Sequence, residues 1–129
     1  MLVYVKDTMK STKWMVEAIL KAELPVLLYQ GVYDAKDGPA SSEAWMRAVA
    51  WDHIANFWKA ERGVWKVKGK LAGYWRSWKN LTQVVVQGAG HQVSFSHLSN
   101  HALTLNIVKN FQSSCFPCRC QERGKGVGY

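Results

Sequence analysis

Two short segments rich in apolar residues constrain the fold of this chain more than any other feature. Val26–Tyr29 is a continuous apolar run, Leu81–Val86 is centred on the run Val84-Val85-Val86, and a glycine follows each within a few positions. Continuous apolar runs of this length are typical of strands that are buried on both faces, as in a parallel sheet. The sequence therefore predicts two parallel core strands, each ending in a glycine-containing turn.

The segments around these runs predict helices and one hairpin. We expect a helix over Asp7–Ala22 with Asp7 as its N-cap, and a second helix that runs to Val49. Ser41 or Ser42 would cap this second helix, with Glu43 in its first turn. The remaining predicted elements are a short helix around Ile54–Trp58, a hairpin of Val64–Val67 and Lys70–Trp78 joined at Lys68-Gly69, and a last helix over Leu98–Phe111. This pattern indicates an α/β domain over residues 1–111 and a flexible tail rich in Cys and basic residues over 112–129.

Composition excludes several classes of protein. The formal charge is +8, but the Lys and Arg residues are scattered, so we predict no nucleic-acid partner. The seven Trp residues fall within helical and strand patterns, which favours core packing or a ligand groove over base stacking. No apolar run is long enough for a membrane span, and Met1–Lys10 lacks the layout of a secretory signal. As written, the chain is expected to start in the cytosol.

Asp34 and His91 are the candidate catalytic residues. Asp34 follows the first apolar run and His91 follows the second. In open α/β sheets, active sites collect at the carboxyl ends of the strands, so parallel neighbours would bring these two side chains to one edge. An Asp that accepts a hydrogen bond from one imidazole nitrogen fixes the tautomer and stabilises the imidazolium when the other nitrogen takes a proton.

Several short segments carry a family resemblance in the right order along the chain. They are Leu27–Asp34, Glu43-Ala44-Trp45, Trp51, Gly73-Tyr74, Lys79–Thr82 and Gly88-Ala89-Gly90-His91. Over about Val5 to Val108 the chain resembles the serine carboxypeptidases, which are α/β-hydrolases. The order Asp and then His also matches α/β-hydrolases, in which Ser comes first.

The resemblance implies a fold, an activity and roles for residues. The fold would be the C-terminal part of an α/β-hydrolase, with parallel core strands flanked by helices and a β-hairpin insertion. Asp34 would be the orienting acid and His91 the general base in a Ser-Asp-His triad that hydrolyses the C-terminal bonds of peptides and proteins. No cofactor or metal is implied. Full-length family members are secreted or reside in the vacuole or lysosome.

The chain also departs from the family. It contains no Gly-x-Ser-x-Gly motif and no upstream glycine-rich segment for an oxyanion hole, so we expect it to be inactive as a peptidase on its own. After His91, only Val93 matches the usual family sequence. Family members that transfer acyl groups share the triad, so Asp34 and His91 leave hydrolysis and acyl transfer both open.

Other interpretations remain. His97 and His101 precede Cys115 and Cys118 at spacings that suit zinc, although an accidental cluster is the simpler explanation. The Trp-rich segment 45–78 could instead be the contact surface of a non-catalytic interaction module, or the chain could be a decayed gene product. Asn80-Leu81-Thr82 is a glycosylation sequon that could be used in a secreted relative. A sheet lacking its upstream strands would expose an edge, so we expect poor solubility.

Overall fold

A four-stranded mixed sheet forms the centre of the fold. A computed structural model of the chain describes residues 10–67 and 69–93. The strands are β1 (Val26–Gly31), β2 (Gly63–Val67), β3 (Lys70–Trp78) and β4 (Leu81–Val86), in the spatial order β1-β4-β3-β2. β1 and β4 are parallel, and the other two pairs are antiparallel. The parallel pairing predicted for the two apolar runs is therefore present.

Apolar residues on the two faces of the sheet form separate cores. The helices are α1 (Lys13–Lys21), α2 (Pro39–Arg47) and α3 (Ile54–Lys59). Their buried residues Leu20, Met46 and Phe57 pack with Val26 of β1 and Leu81 of β4. On the opposite face, a smaller cluster contains Val84, Val86, Ala89 and Val93. Because successive side chains of a strand point to opposite faces, β4 contributes to both cores.

β4 and β1 differ in burial, although both are apolar. All six residues of β4 are buried because a strand pairs with it on each side. β1 lies at an edge of the sheet, and its Tyr29 is 42% exposed. The prediction that Val26–Tyr29 is buried on both faces is therefore wrong for β1. An apolar run indicates that other elements will pack on both faces of a strand. In the described part of the chain, the residues that pack on β1 leave part of it exposed.

The hairpin of β2 and β3 confirms the sequence prediction. The two strands are antiparallel, and their register shifts between Trp65 and Lys66. Gly63 begins β2, and a Cβ atom at this position would lie 2.2 Å from the Trp75 ring. The hairpin adds two strands to the side of β4 that faces away from β1.

The predicted helix starts were wrong in two places. α1 begins at Lys13 with Thr12 as its N-cap, whereas residues 10–12 lie outside the helix. α2 is preceded by Gly38 and begins with Pro39, whose fixed φ suits the first helical position. Ser41 and Ser42 therefore lie inside α2, and its first turn has no acidic residue. The helix also ends at Arg47, so Val49 packs into the core from the segment that follows.

Several predictions concern residues outside the described ranges. They are the Asp7 cap, the helix over 98–111, the tail over 112–129, and the His97, His101, Cys115 and Cys118 set. Within the described ranges, no helix has the length and apolar character needed to cross a bilayer.

Candidate active site

The parallel pairing of β1 and β4 brings Asp34 and His91 together. The register pairs Gly31 with Val86, so the two strands end side by side. The turns that follow place Nδ1 of His91 2.9 Å from Oδ2 of Asp34. This is hydrogen-bond distance, and it lies at the carboxyl edge of the sheet, where the sequence pattern placed both residues.

The carboxylate of Asp34 is held by a tight turn. Its side chain is 6% exposed, and its Oδ1 accepts hydrogen bonds from the backbone N–H groups of Asp37 and Lys36, each at 2.9 Å. The Asp37 N–H has the largest effect in holding the pKa of Asp34 below its ordinary value, and the Lys36 N–H and the His91 side chain act in the same direction. Burial opposes this shift but does not cancel it. Asp34 is therefore an anion at neutral pH, with Oδ2 available to His91.

His91 presents its imidazole at the surface of the site. Its side chain is 57% exposed, in contrast to the buried carboxylate beside it. An ionised Asp34 can only accept hydrogen bonds, which assigns the hydrogen to Nδ1 of a neutral ring. Nε2 is then the nitrogen that can take a proton from a reacting group.

A close backbone approach fixes the two turns relative to each other. The N–H of Tyr33 donates to the carbonyl of Ala89 at 2.9 Å. A Cβ atom at Gly31 would lie 2.3 Å from that same oxygen and 2.5 Å from the Gly90 oxygen, so only glycine fits there. Gly88 has a φ of +73°, which confirms its predicted role in the turn.

An open pocket of about 460 Å³ surrounds the pair. Its lining includes Tyr29, Gln30, Asp37 and Ser42 in addition to Asp34 and His91. None of the first four was predicted from the sequence as a site residue, although Asp37 lies in the same turn as Asp34. Oδ2 of Asp37 is 3.6 Å from Nδ1 of His91, and its side chain is 64% exposed. The pocket therefore carries a second carboxylate beside the imidazole.

Ser42 lies in the pocket but is used to support α2. Its Oγ donates to the backbone carbonyl of Asp37 at 3.3 Å, and the residue is buried. Its contact with the loop before α2 explains the burial of this polar side chain. This contact gives Ser42 a structural role.

Asp34, Asp37 and His91 also have the spacing of a metal-ligand set. One ligand atom from each lies within 4.8 Å of the other two. Both oxygens of Asp34 already accept hydrogen bonds from protein groups. The three side chains therefore form a hydrogen-bonded carboxylate–imidazole pair with a second carboxylate nearby.

Comparison with known proteins identifies the family. The family model described as serine carboxypeptidase matches residues 1–112. The chain belongs to the serine carboxypeptidase family. This confirms the resemblance drawn from the segments around Asp34 and His91, and the mixed sheet with its helices is consistent with the α/β-hydrolase fold of that family.

Individual relatives agree with the family assignment. Serine carboxypeptidase-like 50 of Arabidopsis thaliana is 50% identical over 88 residues, which cover 67% of this chain and 20% of the relative. Probable serine carboxypeptidase CPVL of Dictyostelium discoideum is 36% identical over 109 residues, covering 82% of this chain and 21% of the relative. Carboxypeptidase Y of Schizosaccharomyces pombe is 41% identical over 81 residues, covering 63% and 8% respectively. The chain therefore spans about a fifth or less of the length of these relatives.

Proposed function

We propose that this chain is the part of a serine-type carboxypeptidase that supplies the acid and the general base of its triad. The observation that carries this proposal is the 2.9 Å contact between Asp34 and His91, made by an anionic carboxylate at the carboxyl ends of two parallel strands. Asp34 orients the imidazole, and His91 moves the proton. The substrates are peptides and proteins, cleaved at the C-terminal peptide bond.

The reaction follows from the free nitrogen of His91. Nε2 takes the proton of a serine hydroxyl as its oxygen attacks the carbonyl carbon of the last peptide bond. The imidazolium is stabilised by Asp34 and gives this proton to the leaving amine, which releases the C-terminal residue and leaves an acyl-enzyme. Water then attacks the ester, with His91 again removing and returning a proton. The result is hydrolysis of one amide bond with regeneration of the serine.

The nucleophile belongs to a part of the protein outside this chain. β1 has one strand neighbour in the described residues, β4, and its other edge lies beside the pocket. A further strand paired with this edge would carry its own C-terminal turn toward His91. Without it, His91 has no hydroxyl to activate, and the isolated chain is inactive as a peptidase.

Three further properties belong to the same proposal. The catalytic part of the chain is residues 1–111, and 112–129 is a separate tail. The protein acts in a secreted, vacuolar or lysosomal setting, as the resemblance implies. We favour hydrolysis over acyl transfer because the relatives described above are named as carboxypeptidases or carboxypeptidase-like proteins.

The test uses a longer protein that joins this chain to a serine-bearing upstream region. We expect it to release C-terminal residues from blocked dipeptides. Asp34→Asn should lower kcat by about 10³- to 10⁴-fold, as loss of the orienting acid does in other triads. Asp37→Asn is the matched control, because it removes the neighbouring carboxylate, and it should lower kcat by less than about tenfold.

The outcomes separate the alternatives. Equal losses in the two variants would contradict the assignment of Asp34 as the orienting acid. Product analysis with an added alcohol acceptor distinguishes the reactions, since an acyltransferase would form an ester in preference to the free acid.

A further inference from the structure

Two guanidinium groups lie over the ring of Trp58 on the helix-covered side of the sheet. Cζ of Arg47 lies 4.2 Å from the centroid of the Trp58 ring, and Cζ of Arg76 lies 5.0 Å from it. Arg76 also lies 5.9 Å from the ring of Phe57. The positive charge of Arg62 also acts on Arg76 and lowers its pKa. We call Arg47, Arg62, Arg76 and Trp58 the guanidinium cluster. Trp58 does not line the pocket around His91.

The guanidinium cluster has an excess of positive charge. Arg62 forms an ion pair with Glu43, with 2.9 Å between Nη2 and Oε1. Burial lowers the pKa of Arg76, and the charges of Arg62 and Arg47 act in the same direction, while Glu43 opposes them. Among the described residues, Glu43 is the carboxylate that acts on Arg76, against the charges of Arg47 and Arg62. The like charges repel one another, and the contact of Arg47 and Arg76 with the Trp58 ring opposes this repulsion.

Two donors in the guanidinium cluster have no acceptor among the residues that the structure describes. Nε of Arg76 and Nε1 of Trp58 are both buried, and neither makes a hydrogen bond. Buried donors without partners are rare, because the lost hydration is not replaced, so each one indicates that an acceptor belongs there. Since both donors lie around the same indole, one acceptor group with several oxygens could satisfy them.

We propose that the guanidinium cluster is a binding site for an oxyanion, a carboxylate or a phosphate group. The positive charge of Arg47 and Arg76 attracts the anion, and the planar guanidinium groups match two of its oxygens. The indole N–H of Trp58 supplies a neutral donor. Arg62 is already paired with Glu43 and contributes charge at longer range. This site is separate from the Asp34–His91 pair, and it stands whether or not the proposed peptidase activity is correct.

The direct test is a titration of the full 129-residue chain followed by ¹⁵N NMR at low ionic strength. The seven Trp residues give seven indole N–H signals, and the signal that disappears in Trp58→Phe is assigned to Trp58. Inorganic phosphate and acetate are the probes. We expect the Trp58 signal to shift saturably with one or both anions, and the shift to weaken with added chloride because salt screens the attraction.

Matched variants separate a specific site from general attraction to a basic protein. Arg76→Gln should weaken binding by at least about tenfold, since it removes a part-buried charged donor. Arg47→Gln changes an exposed side chain and should weaken binding by about threefold without affecting folding. Lys59→Gln removes the same charge from the next position after Trp58, also exposed, and should leave binding unchanged.

Each outcome bears on the proposal. No saturable shift of Trp58, or equal weakening by Lys59→Gln and Arg47→Gln, overturns it. In the longer serine-bearing protein, a retained response to phosphate identifies a free anion as the ligand. In the same protein, the Trp58 signal could instead fail to respond to phosphate and yet shift when Arg47 is replaced by Gln. That result identifies a carboxylate of the protein itself as the ligand. Loss of peptidase activity in that protein, with the Trp58 response intact, would contradict only the proposed function.

Discussion

Nδ1 of His91 and Oδ2 of Asp34 lie 2.9 Å apart, although 57 positions separate the two residues in the chain. The parallel register of β1 and β4 makes this contact possible, because both strands end at the same edge of the sheet. The contact is sensitive to anything that moves one strand end relative to the other. It also links the ionisation of Asp34 to the stability of the fold.

Replacement of Asp34 should change how stability depends on pH. The pKa of Asp34 is lower in the folded chain than its ordinary value of 3.8, so its contribution to stability is complete above about pH 4–5 and is lost as pH falls through the lowered pKa. Asp34→Asn should therefore be less stable than wild type at pH 7, and this difference should shrink below about pH 4. Urea unfolding at pH 7, 5 and 3 measures it. Asp52→Asn, in an exposed turn, is the charge-matched control. A constant difference across this range would contradict the prediction.

A side chain at Gly31 should disrupt the site. The added Cβ of Gly31→Ala would lie 2.3 Å from the Ala89 oxygen, so the His91 turn would have to move. We expect a loss of about 2–3 kcal/mol in the free energy of unfolding, as for other overpacked positions. Gly69→Ala is the comparison, because Gly69 has a φ of +78° but open space around it, and should cost about 1 kcal/mol. Similar losses from both would show that the close approach at Gly31 can relax.

Asn80 should be needed as a hydrogen-bond donor. Its Nδ2 donates to the carbonyls of Leu20 and Leu24, at 3.1 and 2.9 Å, and so joins the end of α1 to the start of β4. Asn80→Asp replaces this donor with an acceptor opposite two carbonyl oxygens, which should cost about 2–3 kcal/mol in thermal or urea unfolding. The same nitrogen is the atom that a glycan would use, so in the fold the sequon residue has a structural role.

The same chemical change at Asn56 is the control for Asn80. Asn56 is exposed in the first half of α3, where a carboxylate is favourable, so Asn56→Asp should be within about 0.5 kcal/mol of wild type. If both Asp variants were equally stable, the hydrogen bonds of Asn80 to α1 would not contribute measurably.

In the described part of the chain, β1 pairs with a strand on one side only, and its other edge should make the isolated chain associate. An unpaired edge with an exposed aromatic side chain is a template for pairing with another copy. We expect the gel-filtration elution volume to depend on concentration, and Tyr29→Lys to reduce this dependence. Tyr33→Lys changes a side chain that is 68% exposed in the turn beyond β1 and should have little effect. Monodisperse wild-type monomer at high concentration would contradict the prediction.

The elements with clear local signals were predictable from the sequence. Leu81–Val86 was predicted as a buried strand and is one, because three consecutive valines with Leu81 and the β-branched Thr82 favour a covered strand of that length. The hairpin and α3 were also found at close to their predicted positions. Helix starts were less predictable, since Ser41 and Ser42 are good caps and only the fixed φ of Pro39 moved the start of α2 earlier.

Only some residues of the site could be predicted from the sequence. Asp34 and His91 were identified because each follows a strand and lies in a characteristic segment. Asp37 was missed, since nothing in its local pattern indicates that its carboxylate lies 3.6 Å from His91. The guanidinium cluster was also missed, because Arg47, Trp58 and Arg76 come from α2, α3 and β3 and meet only through packing.

By itself, the sequence determined the family, the two strands rich in apolar residues and the two residues proposed for acid–base chemistry, because these depend on short patterns and motif order. The tertiary structure alone decided which side chains meet. Strand register set the 2.9 Å contact between Asp34 and His91, the backbone approach at Gly31 required a glycine, and the position of β1 at an edge left Tyr29 exposed. Such relationships join residues that are distant in the chain, and local propensity contains no information about the distance between them.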